Sequence, residues 1–463
     1  MMDNKILAII VVIVLVVAGG SAAILLTKDN KKESSEASAT ATVEIYGNAN
    51  NDAYIDDDDV NLLKDIVSTG TWDTHSYPFA DADLDGFITN KDVELVKKII
   101  NEEKCKVYYK NYFGDAQSLD YPLKGKNIGI TYWQQAEMMA ALGLWDQVKC
   151  GPTNLKSWYE NLYDLSHVTI YTSKNNHNSG VTDSAIENFL KEKVEVIVAT
   201  PTAANQTALT KLVDEGVNVI YLWYTGDWAI PTMMTLGILL GAKEKAQAYY
   251  DYANKVMDNI NDRLASTTRA TALVAGASTS LASDGVTTTV SLHTNPHEGN
   301  YYFTNLVANT YTNSAGLSEF GATSRSLEWL LANDESFDYI AIYLNQTGFA
   351  AGTASDVGGD GSFITQKQYN DKFEAAVKNY SETSAYKNGH IFGMPYDMLG
   401  GISGYGLVTT LAYMIYPDLF TKEEAQDLLQ EWFDNFTVAK IDVKTQGAYI
   451  YDGTAYATSY NSA

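Results

Sequence analysis

The C-terminal three quarters of the chain alternate between short apolar runs and segments with helical periodicity. Apolar runs such as Val194–Pro201 and Phe337–Leu344 are typical of strands buried on both faces of a parallel sheet. A proline-free stretch with helical periodicity, Thr232–Leu264, separates an earlier series of such runs from a later one. This pattern predicts an α/β domain with two lobes, about residues 124–231 and 265–440, joined by one long helix.

A repeat at an offset of 33 residues precedes this domain. Loops of twelve residues each lead into a short amphipathic helix, and the apolar positions of the two helices recur at the same offset. Calcium takes oxygen ligands from positions 1, 3, 5, 7, 9 and 12 of such a loop. Those positions hold Asn48, Asn50, Asp52, Tyr54, Asp56 and Asp59 in the first loop, and Asp81, Asp83, Asp85, Phe87, Thr89 and Asp92 in the second. We expect two calcium ions, and tighter binding in the second loop because it has more carboxylates.

The repeat resembles that of dockerins, which are small calcium-folded modules that bind a cohesin domain on another protein. An Asp closes each loop and one helix follows it, over residues 45–103. The resemblance implies a small α-helical, EF-hand-like module with a cohesin-type partner. The first loop departs from the pattern, because Ala53 stands where the second loop has Gly86 at the sharp turn. A calcium-stabilised spacer without a partner is the alternative.

The N-terminal segment predicts attachment to a membrane. Residues 1–27 contain an uncharged run of 21 residues, Ile6–Leu26, which as a helix is long enough to span a hydrocarbon core of about 30 Å. We expect an uncleaved transmembrane anchor with the remaining chain outside the cell, and a cleaved signal peptide is the alternative. Residues 28–44 are polar and predict a flexible linker, and residues 441–463 form a tail without a predicted structure.

Charge and cysteine content narrow the partners and the compartment. The formal net charge is −25, and residues 45–103 contribute −10 of it, from 14 acidic residues and 4 lysines. Such a chain repels phosphate backbones, so we expect no nucleic-acid partner. Cys105 and Cys150 are the two cysteines. Outside the cell they are compatible with a disulfide, and two free thiols are the alternative.

Several segments of residues 104–440, taken in order, resemble the helix-linked (class III) periplasmic substrate-binding proteins of ABC importers for iron–siderophores, haem and cobalamin. The segments are ITYWQQAEMMAALGLWDQV, IENFLKEKVEVIVATP, GVNVIYL, LGILLGAKEKAQAYYDY, SLEWLLANDESFDYIAIYL and LGGISGYGLVTTLAYMIYPDLF. The resemblance covers about residues 124–436 and implies two Rossmann-like lobes joined by a long helix, a permease partner and no enzymatic activity. The expected α/β fold is therefore preceded by the dockerin-like module and the transmembrane helix.

Aromatic side chains follow several of the predicted strands. Ligands of open α/β lobes bind beyond the carboxyl ends of the strands, and flat, rigid rings suit a macrocycle or an aromatic chelator. The candidate ligand-binding residues are Tyr132, Trp133, Trp223, Tyr224 and Trp228 on the first lobe, and Tyr343, Asn345 and Tyr396 on the second. With 32 Tyr and 8 Trp in the chain, abundance alone would place some rings there. His293 and His297 are not counted among the expected ligands, because Pro296 opposes the helix that would align them.

Two glutamates are candidates for docking to the permease. In the family that the chain resembles, one glutamate on each lobe contacts arginines of the permease, from a short helix before a buried strand. Glu187 in IENFL and Glu328 in LEWLL fit this description, although any exposed amphipathic helix displays glutamates. We expect a cell-surface binding component of an ABC importer for a metal chelate or cobalamin. A surface adhesin or polysaccharide-acting enzyme held by a cohesin partner is the alternative.

Overall fold

The computed structural model describes residues 41–160, 162–172, 180–281, 283–284, 286–293, 301–311, 322–344 and 365–446. Among these residues, no helix is both long and apolar enough to cross a membrane. The predicted anchor, Ile6–Leu26, lies outside the described residues.

The repeat folds into two helices, α1 (Asp57–Thr69) and α2 (Asn90–Ile100). Each begins at a capping box in which the last residue of the preceding loop, Asp59 or Asp92, accepts from the backbone of the N-cap residue. The apolar positions that recur in the sequence face inward and are buried: Val60, Leu63 and Ile66 in α1, and Val93, Val96 and Ile99 in α2.

The small module extends further toward the N-terminus than the sequence predicts. Ala41 and Val43 are buried in the core, and the Val43 amide donates to the Asp52 carbonyl (2.9 Å). The prediction of a flexible linker over residues 28–44 is therefore wrong for residues 41–44. Two small apolar side chains are enough to join this stretch to the module.

An antiparallel hairpin of β1 (Cys105–Lys110) and β2 (Ala116–Tyr121), which the sequence did not predict, connects the module to the first lobe. The Tyr46 amide donates to the Tyr108 carbonyl, so the hairpin also pairs with the module. Both cysteines are free thiols: Cys105 is half-buried, and Cys150 lies buried inside the first lobe. Burial raises the pKa of the Cys150 thiol to about 12.

In the described residues of lobe 1, five parallel strands form one sheet. In spatial order they are β5 (Thr169–Tyr171), β4 (Val148–Pro152), β3 (Ile128–Ile130), β6 (Val196–Ala199) and β7 (Asn218–Tyr221). The helices are α3 (Gln135–Ala141), α4 (Thr153–Tyr159), α5 (Asp183–Lys191) and α6 (Ala203–Asp214). The apolar runs of the sequence become the fully buried central strands, as expected for a parallel sheet.

The connection between the lobes is two helices, α7 (Ala229–Leu239) and α8 (Lys243–Leu264), so the prediction of one unbroken helix is wrong. The chain turns at Gly241, whose φ of 71° is left-handed and ends α7. The two helices then pack closely, because a Cβ atom at Gly237 would overlap the Ala246 side chain. The absence of proline therefore does not show that a helix is continuous, because a glycine can end the helix and form the turn.

Lobe 2 contains a mixed sheet. In spatial order its main strands are β11 (Ala322–Ser326), β9 (Thr288–His293), β8 (Thr271–Leu281), β12 (Tyr339–Leu344) and β13 (Ile391–Pro395), and β10 (Asn309–Thr310) pairs with β8. β8, β12 and β13 run parallel, whereas β9 and β11 are antiparallel to their neighbours. The helices are α9 (Tyr301–Thr304), α10 (Leu327–Ala332), α11 (Gln366–Val377), α12 (Ser384–Lys387), α13 (Tyr396–Leu399), α14 (Gly404–Ile415) and α15 (Lys422–Phe436).

The start of the C-terminal tail belongs to this fold. Ile441 and Val443 are buried, and the Gln430 side chain of α15 donates to the Ile441 carbonyl (2.7 Å) and accepts from the Val443 amide (3.0 Å). Residues 447–463 lie outside the described residues.

Candidate functional site

The two lobes meet through a buried carboxylate. Glu137 of α3 accepts hydrogen bonds from the Tyr159 hydroxyl of lobe 1 and from the Ser403 amide of lobe 2 (3.3 Å). Ser403 precedes α14, so a lobe 1 carboxylate lies at the positive N-terminus of a lobe 2 helix. A Cβ atom at Gly401 would lie 2.6 Å from this carboxylate, so the approach requires glycine.

The carboxyl edge of the lobe 1 sheet, where its strands end, is rich in aromatic rings. Tyr224 is buried and stacks on Trp223 with ring centroids 5.5 Å apart. Trp223 and Trp228 are half-buried, and the Trp223 indole donates to the Thr225 hydroxyl (2.8 Å). Trp228 ends a short 3-10 turn before α7. The structure therefore places these three predicted residues together after β7.

Tyr132 and Trp133 occupy a different environment. β3 ends at Ile130, and the amides of Thr131 and Tyr132 donate to the Gln135 side chain, so the chain turns sharply into α3. Trp133 is only 4% exposed and packs on Tyr159 at 5.4 Å, whereas Tyr132 is half-buried. Contact between Trp133 and a ligand stays a prediction, and the geometry gives this indole much less free surface than Trp223 or Trp228.

The carboxyl edge of the lobe 2 sheet brings together a phenol and an imidazole. Tyr343, near the end of β12, and His293, at the end of β9, have ring centroids 4.4 Å apart in an edge-to-face arrangement. Desolvation lowers the pKa of His293 to about 4, so its imidazole is neutral at physiological pH. His293 was not counted among the expected ligands because Pro296 opposes a helix there; the sequence did not predict β9, the strand that carries His293 to this edge.

The remaining two predicted ligand residues are located less fully. Tyr396 begins α13 and directly follows β13, which pairs in parallel with β12. Asn345 lies outside the described residues. Tyr343 and Tyr396 are thus both at strand ends, as predicted.

The second loop of the module gathers carboxylates. Asp81, Asp83 and Asp85 each offer an oxygen atom, and these atoms all lie within 4.8 Å of one another. Gly86 has a φ of 90°, which confirms the sharp turn predicted there. The buried carboxylate of Asp92 accepts from the amides of Ala82 (2.8 Å) and Thr89 (2.7 Å), which closes the loop onto α2.

The first loop has the same backbone plan with fewer charges. Asp59 is buried and accepts from the amides of Asn50 (3.2 Å) and Asp56 (2.9 Å), and burial raises its pKa to about 6. The side-chain nitrogen of Asn48 donates to the carbonyls of Val43 and Asp52, while its buried side-chain oxygen has no hydrogen-bond partner. A buried oxygen of this kind is a suitable ligand for a cation.

Comparison with known proteins identifies the class of the two-lobed domain. The family model described as "Periplasmic binding protein" matches residues 128–398, which include both carboxyl edges. The chain belongs to the periplasmic binding protein family. Proteins of this family bind solutes and are not enzymes. No curated protein matches the sequence.

Solved periplasmic binding proteins share the fold at low sequence identity. The TroA-like protein FepB from Veillonella parvula has a TM-score of 0.55 and 15% identity, with 74% of this chain and 98% of FepB covered. CeuE from Helicobacter pylori, solved with Ni(II) bound, has a TM-score of 0.51 and 14% identity, with coverages of 73% and 98%. MolA from Haemophilus influenzae, solved with molybdate, has a TM-score of 0.50 and 14% identity, with the same coverages.

The predicted docking residues of this binding protein are both on exposed helix surfaces. Glu187 lies on α5, whose N-cap is Thr182, and Glu328 lies on α10, whose N-cap is Ser326. Hydrogen bonds from the helix N-terminus and from Ser326 hold the pKa of Glu328 below its usual range. Both carboxylates are therefore accessible to a protein partner, as the sequence analysis expected.

Proposed function

We propose that this periplasmic binding protein is the substrate-binding component of an ABC importer and captures a metal chelate (an iron–siderophore or haem) or cobalamin. The observation that supports this most is the pair of His293 and Tyr343 at the carboxyl edge of lobe 2. The neutral imidazole nitrogen of the half-buried His293 is a ligand for the metal of an incompletely coordinated chelate, and the buried ring of Tyr343 holds the imidazole in place.

The opposite lobe supplies a complementary surface. Trp223 and Trp228 follow β7 of the lobe 1 sheet and offer aromatic rings for stacking on a flat organic ligand. Two of the solved relatives hold metal species, Ni(II) in CeuE and molybdate in MolA. The fold therefore accommodates metal-containing ligands, which supports the same class for this chain.

Binding of defined probes tests the proposal. The purified protein is titrated with haemin, a ferric tris-catecholate and cyanocobalamin, and each titration is followed by absorbance and calorimetry. We expect at least one probe to bind at micromolar concentration or below. If the wild-type protein binds none of the three, the proposed ligand class is wrong.

Lobe 2 offers a matched control for His293. His390 also stacks on a tyrosine, Tyr339, with ring centroids 4.5 Å apart, but this pair lies where β12 and β13 begin. We expect His293→Phe to weaken binding of a metal-containing probe at least tenfold and to change its absorption spectrum. His390→Phe is expected to change neither.

We also propose that the N-terminal module holds two calcium ions. The carboxylates of Asp81, Asp83 and Asp85 fit a cation in the second loop, and the buried oxygen of Asn48 fits one in the first. The backbone carbonyls of Tyr54 and Phe87, at position 7 of each loop, would complete the ligand sets. A cohesin-type partner for this module remains part of the proposal, and a calcium-stabilised spacer is its alternative.

Assignment as the binding component of an ABC importer also implies a location for the protein and a permease partner. The binding protein is proposed to act at the extracellular face of the membrane, anchored by Ile6–Leu26, and to contact the permease through Glu187 and Glu328. Both glutamates are exposed on helices that precede a strand of their lobe, which supports this role.

A further inference from the structure

The β1–β2 hairpin lies before the part of the chain that matches the family, yet it extends along the edge strand of lobe 1. The Gln117 side chain donates to the Val219 carbonyl (2.7 Å), and the Tyr109 hydroxyl accepts from the Tyr221 amide (3.0 Å). At the tip, the Tyr112 amide donates to the Tyr221 carbonyl (3.0 Å). The hairpin turn is therefore held at the carboxyl end of β7, where the predicted ligand residues begin.

The turn itself has a defined conformation. The buried Asn111 side chain accepts from the amides of Phe113 (3.0 Å) and Asp115 (3.1 Å), and the Gly114 amide donates to the Asn111 carbonyl. These bonds hold the ring of Tyr112 outward, with 45% of the residue exposed. An aromatic ring with so much free surface contributes little to the core.

Tyr112 joins the two half-buried indoles of lobe 1. Its ring centroid lies 5.8 Å from that of Trp223 and 6.2 Å from that of Trp228. We call these three side chains the aromatic platform. The 3-10 turn that carries Trp228 contacts α9 of lobe 2. The platform thus borders the contact between the lobes.

We propose that the aromatic platform contacts the ligand and that Tyr112 determines specificity for a macrocyclic metal chelate, a haem or a corrinoid. This inference rests on the proposed function and narrows it. Three neighbouring rings offer one extended contact area, and a macrocycle has an unsaturated surface large enough to cover it. The hairpin therefore adds a ligand-recognition element to the part of the chain that matches the family.

The test compares three variants of the full-length protein in titrations with haemin, cyanocobalamin and a ferric tris-catecholate. Tyr112→Ala removes the ring, Tyr112→Phe keeps it, and Tyr108→Ala changes a half-buried tyrosine of the same hairpin outside the platform. Binding is measured by calorimetry and by quenching of tryptophan emission, and circular dichroism checks that each variant is folded.

We expect Tyr112→Ala to weaken macrocycle binding about twofold to tenfold, the range for loss of one aromatic contact, with Tyr112→Phe and Tyr108→Ala near wild type. If a macrocycle binds and Tyr112→Ala has no effect, the inference is wrong and the proposed function stands. If the wild type binds the ferric tris-catecholate alone, the macrocycle class is wrong, again without damage to the importer assignment. If no probe binds, both proposals fail.

Discussion

The N-terminal module and the two-lobed domain share one continuous apolar core but bury different kinds of polar side chain. In the module, Asp59 and Asp92 are buried, and burial raises the pKa of Asp59 to about 6. At the candidate ligand site of lobe 2, burial likewise favours the neutral form of His293 and lowers its pKa to about 4. A cation in the module would stabilise the charged form of Asp59, whereas the neutral imidazole of lobe 2 is an uncharged donor suited to an organic chelate.

The contact between these two regions is specific. Lys243, the first residue of α8, donates to the carbonyls of Ile99 and Ile100 at the end of α2 (3.2 Å each). The Tyr121 hydroxyl donates to the same Ile99 carbonyl (2.9 Å), and the rings of Tyr54 and Tyr250 meet at 6.1 Å. The first loop of the module and helix α8 are thus in direct contact.

Removal of calcium is the strongest test of the difference between the module and the two-lobed domain. With calcium at 100 times its dissociation constant, each site contributes about 2.7 kcal/mol, so chelation should destabilise the module by about 5 kcal/mol. Hydrogen exchange should show loss of protection in α1 and α2 on addition of EDTA, with little change in β6 and β12.

Single variants refine this prediction. Asp81→Ala should remove the tighter of two binding steps in calorimetry, and Asp59→Ala the weaker one, because the second loop has more carboxylates. Loss of the tighter step in Asp59→Ala would reverse the proposed order. Equal loss of protection in the lobes after chelation would show that the two regions unfold as one unit.

Acid should act on lobe 2 through His293. Its pKa is about 4 in the folded state and about 6.5 in an unfolded chain, so the unfolded chain binds more protons between these values. The contribution of His293 to stability should therefore fall as the pH is lowered from 6.5 to 4, by up to about 3 kcal/mol, whereas Asp59, whose pKa is raised to about 6, contributes with the opposite sign when no cation is bound. Denaturant unfolding at pH 7 and pH 4.5 measures the change in the free energy of unfolding. Between these two pH values, His293→Phe is expected to lose less stability than wild type, and His390→Phe is expected to behave like wild type. Identical pH dependence in all three proteins would contradict the prediction.

The contact through Lys243 should have a moderate effect. Replacing it in Lys243→Met leaves two carbonyls without a charged donor, at a cost of about 1.5–3 kcal/mol. Lys255→Met is the matched control, since Lys255 lies on the same helix but forms an exposed ion pair with Glu431; we expect a change of about 0–1 kcal/mol. Thermal unfolding in calcium compares them, and equal melting temperatures would mean that the module is held by its apolar contacts alone.

The docking glutamates should have the smallest effect on stability. Glu187→Ala with Glu328→Ala removes two exposed carboxylates, so stability and ligand affinity should change by no more than about 0.5 kcal/mol. Docking to the permease and uptake should nevertheless be lost. Glu215→Ala with Glu423→Ala, two other exposed glutamates, serves as the control. Normal uptake by the first double variant would exclude these glutamates as the docking pair.

Most of the lobe strands could be predicted because they are continuous apolar runs. β6 and β12 lie inside the predicted segments, and their residues are almost all buried. The hairpin was missed because CKVYYK and AQSLDY mix lysine, tyrosine and polar residues in short stretches that resemble a loop. β9 was missed for the same reason, and with it the position of His293. Short strands of this kind are stabilised by packing against neighbouring elements, so their own sequence pattern is weak.

By itself the sequence determined the two-lobed α/β order, the repeated loops with Asp at their ends, and the helices that display Glu187 and Glu328. These features depend on local periodicity and on turn residues close together in the chain. Tertiary structure alone decided which aromatic rings are exposed. Trp133 is buried because it follows the short strand β3 and packs on Tyr159. Tyr112 contacts Trp223 from a hairpin about 110 residues earlier in the chain. The exposure of a ring depends on the neighbours that the fold brings against it, and no local pattern contains that information.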